Sequence, residues 1–148
     1  MSHHHGQSRP DRPTVVAIYR YPVKAFSAER LAYVDVEEGG TLPLDRAYAI
    51  ENSPGRFDPA APHHLPKVNF ITLMRDERAA TLETHFDPAT AMFSVSRDGQ
   101  TLAEGDLAST TGRSAVETFI ATDFRDSLPG APRLVSTPGH SFSDVAAK

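Results

Sequence analysis

The apolar residues of this chain fall mostly into short runs separated by turn residues, which is the signature of strands rather than of long helices. Residues 14–21 (TVVAIYRY) are rich in β-branched and aromatic side chains and are closed by Pro22, which cannot donate to a ladder; they predict a first strand. Residues 31–36 (LAYVDV) alternate and end at Glu37-Glu38-Gly39-Gly40, predicting a second. A short third strand is expected over residues 46–50 (RAYAI), between Pro43 and the turn Asn52-Ser53-Pro54-Gly55. Residues 57–66 carry Pro59, Pro62 and Pro66 and predict an irregular surface loop.

Three further apolar segments, residues 68–74, 80–86 and 92–97, are divided by Arg75-Asp76-Glu77-Arg78 and by Asp87-Pro88-Ala89-Thr90. The pair Asp98-Gly99 then signals a tight hairpin into residues 101–104. One helix interrupts the pattern. Thr110 or Thr111 can cap it, and Val116, Phe119 and Ile120 recur at helical spacing as far as about Phe124. Ser114 and Glu117 match a capping box and compete for its start. Residues 133–136 read as a last short strand, broken by Thr137-Pro138-Gly139. The fold class expected is mainly β (α+β): a small, bent antiparallel sheet or β-barrel, with one helix covering an edge or an open end.

Composition adds little to this picture but removes several functions. With 148 residues, 39% of them hydrophobic and 23% charged, the chain can bury one ordinary core. A formal charge of -4 gives no global attraction for nucleic acid or an anionic membrane. No apolar run reaches the length of a membrane span and no signal peptide is visible, so the cytoplasm is the expected location. Cysteine is absent, which excludes disulfides, thiolate metal ligands and cysteine nucleophiles within these residues. Residues 1–13, with His3, His4 and His5, read as a disordered polar leader or tag. At the other end, Phe142, Val145 and the alanines after it look like a segment that packs against something further on, as if the chain were truncated.

Candidate chemistry begins with Tyr19-Arg20-Tyr21-Pro22-Val23-Lys24, where a strand delivers a lysine just past a proline-fixed end and so projects a point charge toward an anion. Arg46, opening the third strand, can converge on the same anion and would hold phosphate oxygens bidentately. The plainer readings are a solvated Lys24 and an Arg46 paired with Asp45 or Glu51. His63 and His64, with Asp58, His85 and His140, contain metal-site residue types, but adjacent histidines in an extended loop point apart and no helical histidine spacing is present. Surface histidines are expected there. His140, Ser141, Ser143 and Asp144 supply the residue types of a hydrolytic triad without the Gly-x-Ser-x-Gly elbow that would present a serine. Neither a Walker motif nor a Gly-x-Gly-x-x-Gly turn occurs.

Taken together, Ile18-Tyr19-Arg20-Tyr21-Pro22-Val23-Lys24, the Glu38-Gly39-Gly40 turn, Leu44-Asp45-Arg46-Ala47-Tyr48-Ala49-Ile50 and the late His140-Ser141-Phe142-Ser143-Asp144 resemble MOSC proteins that carry an N-terminal β-barrel domain. Relatives of that kind include the mitochondrial amidoxime-reducing component and the C-terminal part of molybdenum-cofactor sulfurases. The resemblance implies that residues 14–139 are the β-barrel domain and residues 140–148 the start of a linker into a catalytic MOSC domain, in cis or in trans. It implies a pyranopterin molybdenum cofactor whose terminal phosphate is held partly by Lys24 and Arg46, with none expected tightly bound to this chain alone. The whole protein would be an oxidoreductase acting on N-hydroxylated or related substrates, or would handle cofactor sulfur with a separate pyridoxal-phosphate desulfurase.

The sequence departs from the family pattern at Ala25, where serine is usual, at Leu44, where glycine precedes Asp45, and in having no cysteine. The family's molybdenum-ligating or sulfur-carrying cysteine lies in the domain that follows, so catalysis is not expected from this chain alone. The competing expectation is a stand-alone β-barrel that docks a partner or forms a homodimer, with Lys24 and Arg46 merely solvated.

Overall fold

Two turns set the most regular part of the molecule, and the computed structural model, which describes residues 12–144, shows both. Between β4 (Glu83–Asp87) and β5 (Met92–Arg97) the chain reverses through Ala91, and between β5 and β6 (Gln100–Asp106) through Asp98-Gly99, both with positive φ. Positive φ at both central residues gives the turn a twist that matches the strands beside it, as the Asp-Gly pair predicts. The three strands form an antiparallel meander in the order β4-β5-β6, with Phe86 opposite Phe93 and Val95 opposite Ala103.

Helix α1 (Thr110–Asp123) lies against β6, burying Gly112, Val116 and Ile120. Its cap is Ser109, whose Oγ accepts the Gly112 N–H at 2.9 Å, while Thr110 is already helical. The threonines and Ser114 are therefore not the cap. Gly112 is indispensable to the contact: a Cβ there would stand 2.0 Å from the Asp106 carbonyl oxygen, and one on Gly105 would stand 2.2 Å from the Gly112 carbonyl oxygen. Two facing glycines let helix and strand backbones touch.

A second antiparallel ladder joins β3 (Tyr48–Glu51) to β7 (Arg133–Ser136), in the register Ala49 to Val135 and Ile50 to Leu134. Because successive side chains point to opposite faces, Ile50 and Leu134 enter the main core with Val116, Ile120 and Phe93, while Ala49 and Val135 enter a smaller one with Phe57, Phe70 and Phe142. Both faces of this ladder are buried. Glu51, fully buried, is held by Arg133 Nε at 2.8 Å and accepts the Phe57 N–H at 2.6 Å, so its charge is paired and hydrogen-bonded.

The third ladder is short: β1 (Ile18–Arg20) pairs with β2 (Glu29–Leu31). Here the expected strands are longer than the observed ones, because Val15 and Val16 lie largely exposed and unpaired, and the second strand sits earlier in the chain than residues 31–36. Residues 68–74 and the start of 80–86, expected as strands, instead include 3-10 turns at Lys67–Asn69 and Glu77–Thr81. Of the C-terminal segment, Phe142 does not await a distant partner, being buried within this chain, while Val145 and the alanines after it, like most of the leader over residues 1–13, lie outside the described residues. Over the described residues the architecture is mainly β with one covering helix, assembled from three small antiparallel sheets. Among the described residues no helix is long and apolar enough to cross a membrane.

Candidate functional site

Lys24 and Arg46 come together through the backbone. After Pro22 ends the first strand, residues 21–24 run beside residues 46–48: the Arg46 N–H donates to the Tyr21 carbonyl, the Tyr48 N–H to the Pro22 carbonyl at 3.1 Å, and the Lys24 N–H to the Tyr48 carbonyl at 2.9 Å. This is a short parallel bridge centred on Val23 and Tyr48. On the far side the Phe142 N–H donates to the Arg46 carbonyl at 2.9 Å, so the C-terminal segment closes the arrangement.

Asp45 organises the arginine. Its Oδ1 accepts the Tyr21 N–H at 2.9 Å and its Oδ2 accepts from Arg46 Nη1 at 2.5 Å, while Ser141 Oγ donates to its carbonyl at 2.8 Å. The Arg46 guanidinium lies 5.1 Å from the centre of the Tyr21 ring, a cation-π contact. Three residues here hold a left-handed backbone without being glycine: Ala25 (φ 75°), Leu44 (φ 63°) and Arg46 (φ 49°). Such strain is costly for an L residue and gathers where the surrounding structure over-determines it, commonly at sites.

Lys24 is buried, and its Nζ donates to the Phe142 carbonyl at 3.1 Å and to the Asp144 carboxylate. Lys24 and Arg46 both line one cleft of about 250 Å³, together with Lys67 and Asp144 and with Tyr21, Leu73 and Met74 as its aromatic and apolar walls. The Asp144 carboxyl is held below the usual carboxylate range, first by its hydrogen bond from Lys24, against the opposing effect of burial, and then by the charges of Lys24, Lys67 and Arg46. Three cations therefore act on one point. An ammonium, a guanidinium and a second ammonium around a small open space form a donor set suited to a phosphate-type anion. Ala25 lines the same cleft and offers no hydroxyl to it.

The other candidates disperse. Glu51 pairs with Arg133 and not with Arg46. His63 is exposed, with Nδ1 3.2 Å from the Ala61 carbonyl, and His85 lies on β4. His140 packs on Phe57 and Phe142, and its imidazole is depressed below the usual histidine value, chiefly by burial and further by the positive charges of His64 and His63. Among the described residues no group of three or more His, Asp or Glu could hold a metal ion. Ser141 and Asp144 serve Asp45 and Lys24 rather than a triad with His140. Lys67 follows Pro66 in a turn without periodic signal and carries no sequence motif, and Asp144, whose residue type suits a hydrolytic triad as well as the late motif, pairs with Lys24 instead.

A family model described as the MOSC N-terminal beta barrel domain matches residues 12–127, a stretch that contains Lys24, Arg46 and Lys67 and stops short of Asp144. No curated protein and no solved structure matches the chain.

Proposed function

The chain belongs to the MOSC N-terminal β-barrel domain family, and on that premise we propose that it supplies the phosphate contacts of a pyranopterin molybdenum cofactor and part of the substrate entrance to a MOSC enzyme. The observation that carries this reading is the convergence of Lys24 and Arg46, with Lys67, on one cleft. Lys24 acts as a buried point charge and Arg46 as the directional donor. Asp45 and the Tyr21 ring fix where the guanidinium lies, so little freedom is lost when an anion arrives.

The cofactor, bound also by a MOSC domain, would supply the oxygen-atom or sulfur chemistry. This chain has no cysteine to take part in either, and its residues bind and orient. The partner is thus a MOSC domain, in cis or in trans, and the protein it completes is an oxidoreductase for N-hydroxylated or related substrates, or a cofactor-sulfur enzyme served by a separate pyridoxal-phosphate desulfurase. Its place is the cytoplasm. Native mass spectrometry with molybdenum analysis, on the chain alone and together with a MOSC domain, tests the reading. Cofactor is expected in the combined sample, with retention falling at least about tenfold in a Lys24→Met, Arg46→Leu double variant, since two charge-assisted contacts are removed. Equal retention in the variant would sink the reading.

One observation favours a second reading, a binding module without catalysis: Val15 is 80% exposed, Val16 87% and Tyr33 79%, an apolar group beside the two-stranded β1 and β2 ladder. A Val15→Asp, Val16→Asp variant that loses a partner while keeping cofactor retention intact would support that reading over the first.

A further inference from the structure

The side chain of Lys24 is 6% exposed, whereas that of Asp144, its counter-charge, is 61% exposed. A buried ammonium needs an anion beside it, because an unpaired buried charge is strongly destabilising. Here that anion comes from a residue that stands mostly in water. The segment carrying it is anchored two residues earlier. Phe142 packs on Phe57 and Phe70 at ring-centre distances of 4.9 and 5.5 Å, its N–H is taken by Arg46, its carbonyl by Lys24, and Ser141 is fixed to Asp45. Asp144 lies beyond this anchor and can leave Lys24 without unseating Phe142.

Lys24, Arg46 and Lys67 line the cleft, and Asp45 neutralises Arg46 from beside it. With Asp144 in place the group sums to +1, and with Asp144 withdrawn it sums to +2. A phosphate monoester near neutral pH carries roughly -1.5 to -2. Lys67 already has little to hold, its ammonium donating to the Met74 thioether at 3.4 Å, a weak acceptor. Asp144 and a phosphate would draw on the same three cations.

We infer that Asp144 is a displaceable plug, a carboxylate that occupies the anion position beside Lys24 and yields it to the phosphate monoester of an incoming ligand. The inference rests on the phosphate reading proposed above and adds its regulation: the protein keeps Lys24 neutralised when empty, and binding exchanges one anion for another.

The test is calorimetric titration of the whole 148-residue chain with inorganic phosphate at low salt, on the wild type and on Asp144→Asn, Asp144→Glu and Lys24→Met variants. Removing the competing charge should tighten phosphate binding at least about tenfold in Asp144→Asn, a factor of the size expected for one nearby like charge. Asp144→Glu should bind no tighter than wild type, and Lys24→Met should lose binding. Without phosphate, Asp144→Asn should melt below wild type, and added phosphate should raise its melting temperature by more than it raises that of wild type. An Asp144→Asn protein that folds only with phosphate present counts with that result. Equal or weaker binding by Asp144→Asn, with Lys24→Met still abolishing it, overturns the plug and leaves the phosphate site standing. A variant that folds in neither buffer also overturns it, by showing Asp144 to be indispensable to the fold. Binding absent from both wild type and Asp144→Asn, or indifferent to Lys24, overturns the phosphate reading and the plug with it.

Discussion

The meander of β4, β5 and β6 under α1 and the cleft around Lys24 and Arg46 are built by opposite means. In the meander the ladders run unbroken apart from one bulge at Leu102, the core side chains Phe93, Val95, Val116 and Ile120 are fully buried or nearly so, and the positive-φ residues Ala91 and Asp98 sit in hairpin turns, where the reversal requires them. In the cleft the backbone is held by a short run of hydrogen bonds between residues 21–24 and 46–48, and Ala25, Leu44 and Arg46 take left-handed conformations in irregular turns. Close packing stabilises the first region. The second carries strain and charge that the first must outweigh, which is how a fold keeps a binding geometry that local preference would not choose. Substitutions should therefore have opposite signs in the two regions.

The largest effect is expected where the packing leaves no room. Alanine at position 112 or 105 puts a methyl into backbone, 2.0 Å from the Asp106 oxygen or 2.2 Å from the Gly112 oxygen, so α1 must lift off β6. Each substitution should cost about 3 kcal/mol or more in urea unfolding, at the upper end for overpacking. Since one shift of the helix relieves both clashes, the double variant should cost less than the sum. Alanine in an unconstrained helix would instead gain up to about 1 kcal/mol over glycine. A stabilised Gly112→Ala protein would thus show that helix and strand do not touch.

Glycine should do the reverse in the cleft. Leu44 holds φ 63°, where a side chain costs about 1–2 kcal/mol and glycine costs nothing, offset by about 0.5–1 kcal/mol for ordering glycine. Leu44→Gly is expected to stabilise by about 0.5–1 kcal/mol. Leu102, the extra residue of the bulge in β6 opposite Val95 and Ser96, is equally accessible, 37% exposed against 38% for Leu44, but its φ is not positive, so Leu102→Gly should destabilise by about 0.5–1 kcal/mol. The same chemical change at matched exposure thus separates a position with left-handed backbone from one without it, and equal signs in the two unfolding midpoints would erase the distinction.

The two regions also differed in how far the sequence revealed them. The strands over residues 92–97 and 133–136 and the helix end near Phe124 are legible because local pattern and tertiary burial agree there. Residues 68–74 mislead because the run is apolar without alternating: Phe70 and Ile71 are buried, while Val68, Leu73 and Met74 face out and leave it in turns. Tyr33 and Val36 mislead in the same way, being exposed beyond the end of β2. Lys24 and Arg46 could be singled out from their motifs, but their cleft depends on contacts that span the chain, such as the bonds from Lys24 to Phe142 and Asp144, 118 and 120 residues away. Local periodicity carries no trace of such pairings, and Lys67 has no motif at all. The helix cap fell to Ser109 because that position lets Gly112, the residue bonded to it, meet β6.

The smallest expected effect is a pH dependence, and it too should divide along this line. Asp123, the last residue of α1, places a carboxylate at the negative end of the helix, where it is unfavourable unless paired. Arg97 of β5 pairs with it through two bonds, at 2.7 and 3.1 Å, and Arg78 adds a third at 3.1 Å. Its carboxyl is held below the usual 3.8, chiefly by the Arg97 hydrogen bond and against the opposing effect of burial. A carboxyl depressed in the folded state contributes stability that is present above its unfolded pKa, near 3.9, and is lost as pH falls through the folded pKa. The urea midpoint of wild type should therefore exceed that of Asp123→Asn by a constant amount above roughly pH 5 and converge toward it below about pH 4. Asp144 is depressed in the same direction by Lys24, but its side chain is 61% exposed against 12% for Asp123, so solvent screens it more. On stability grounds Asp123→Asn should remove more of the acid-side slope than Asp144→Asn. If Asp144→Asn removed more, the cleft's charges would be holding the fold together, and the assignment of stability to the meander and of binding to the cleft would have to be reversed.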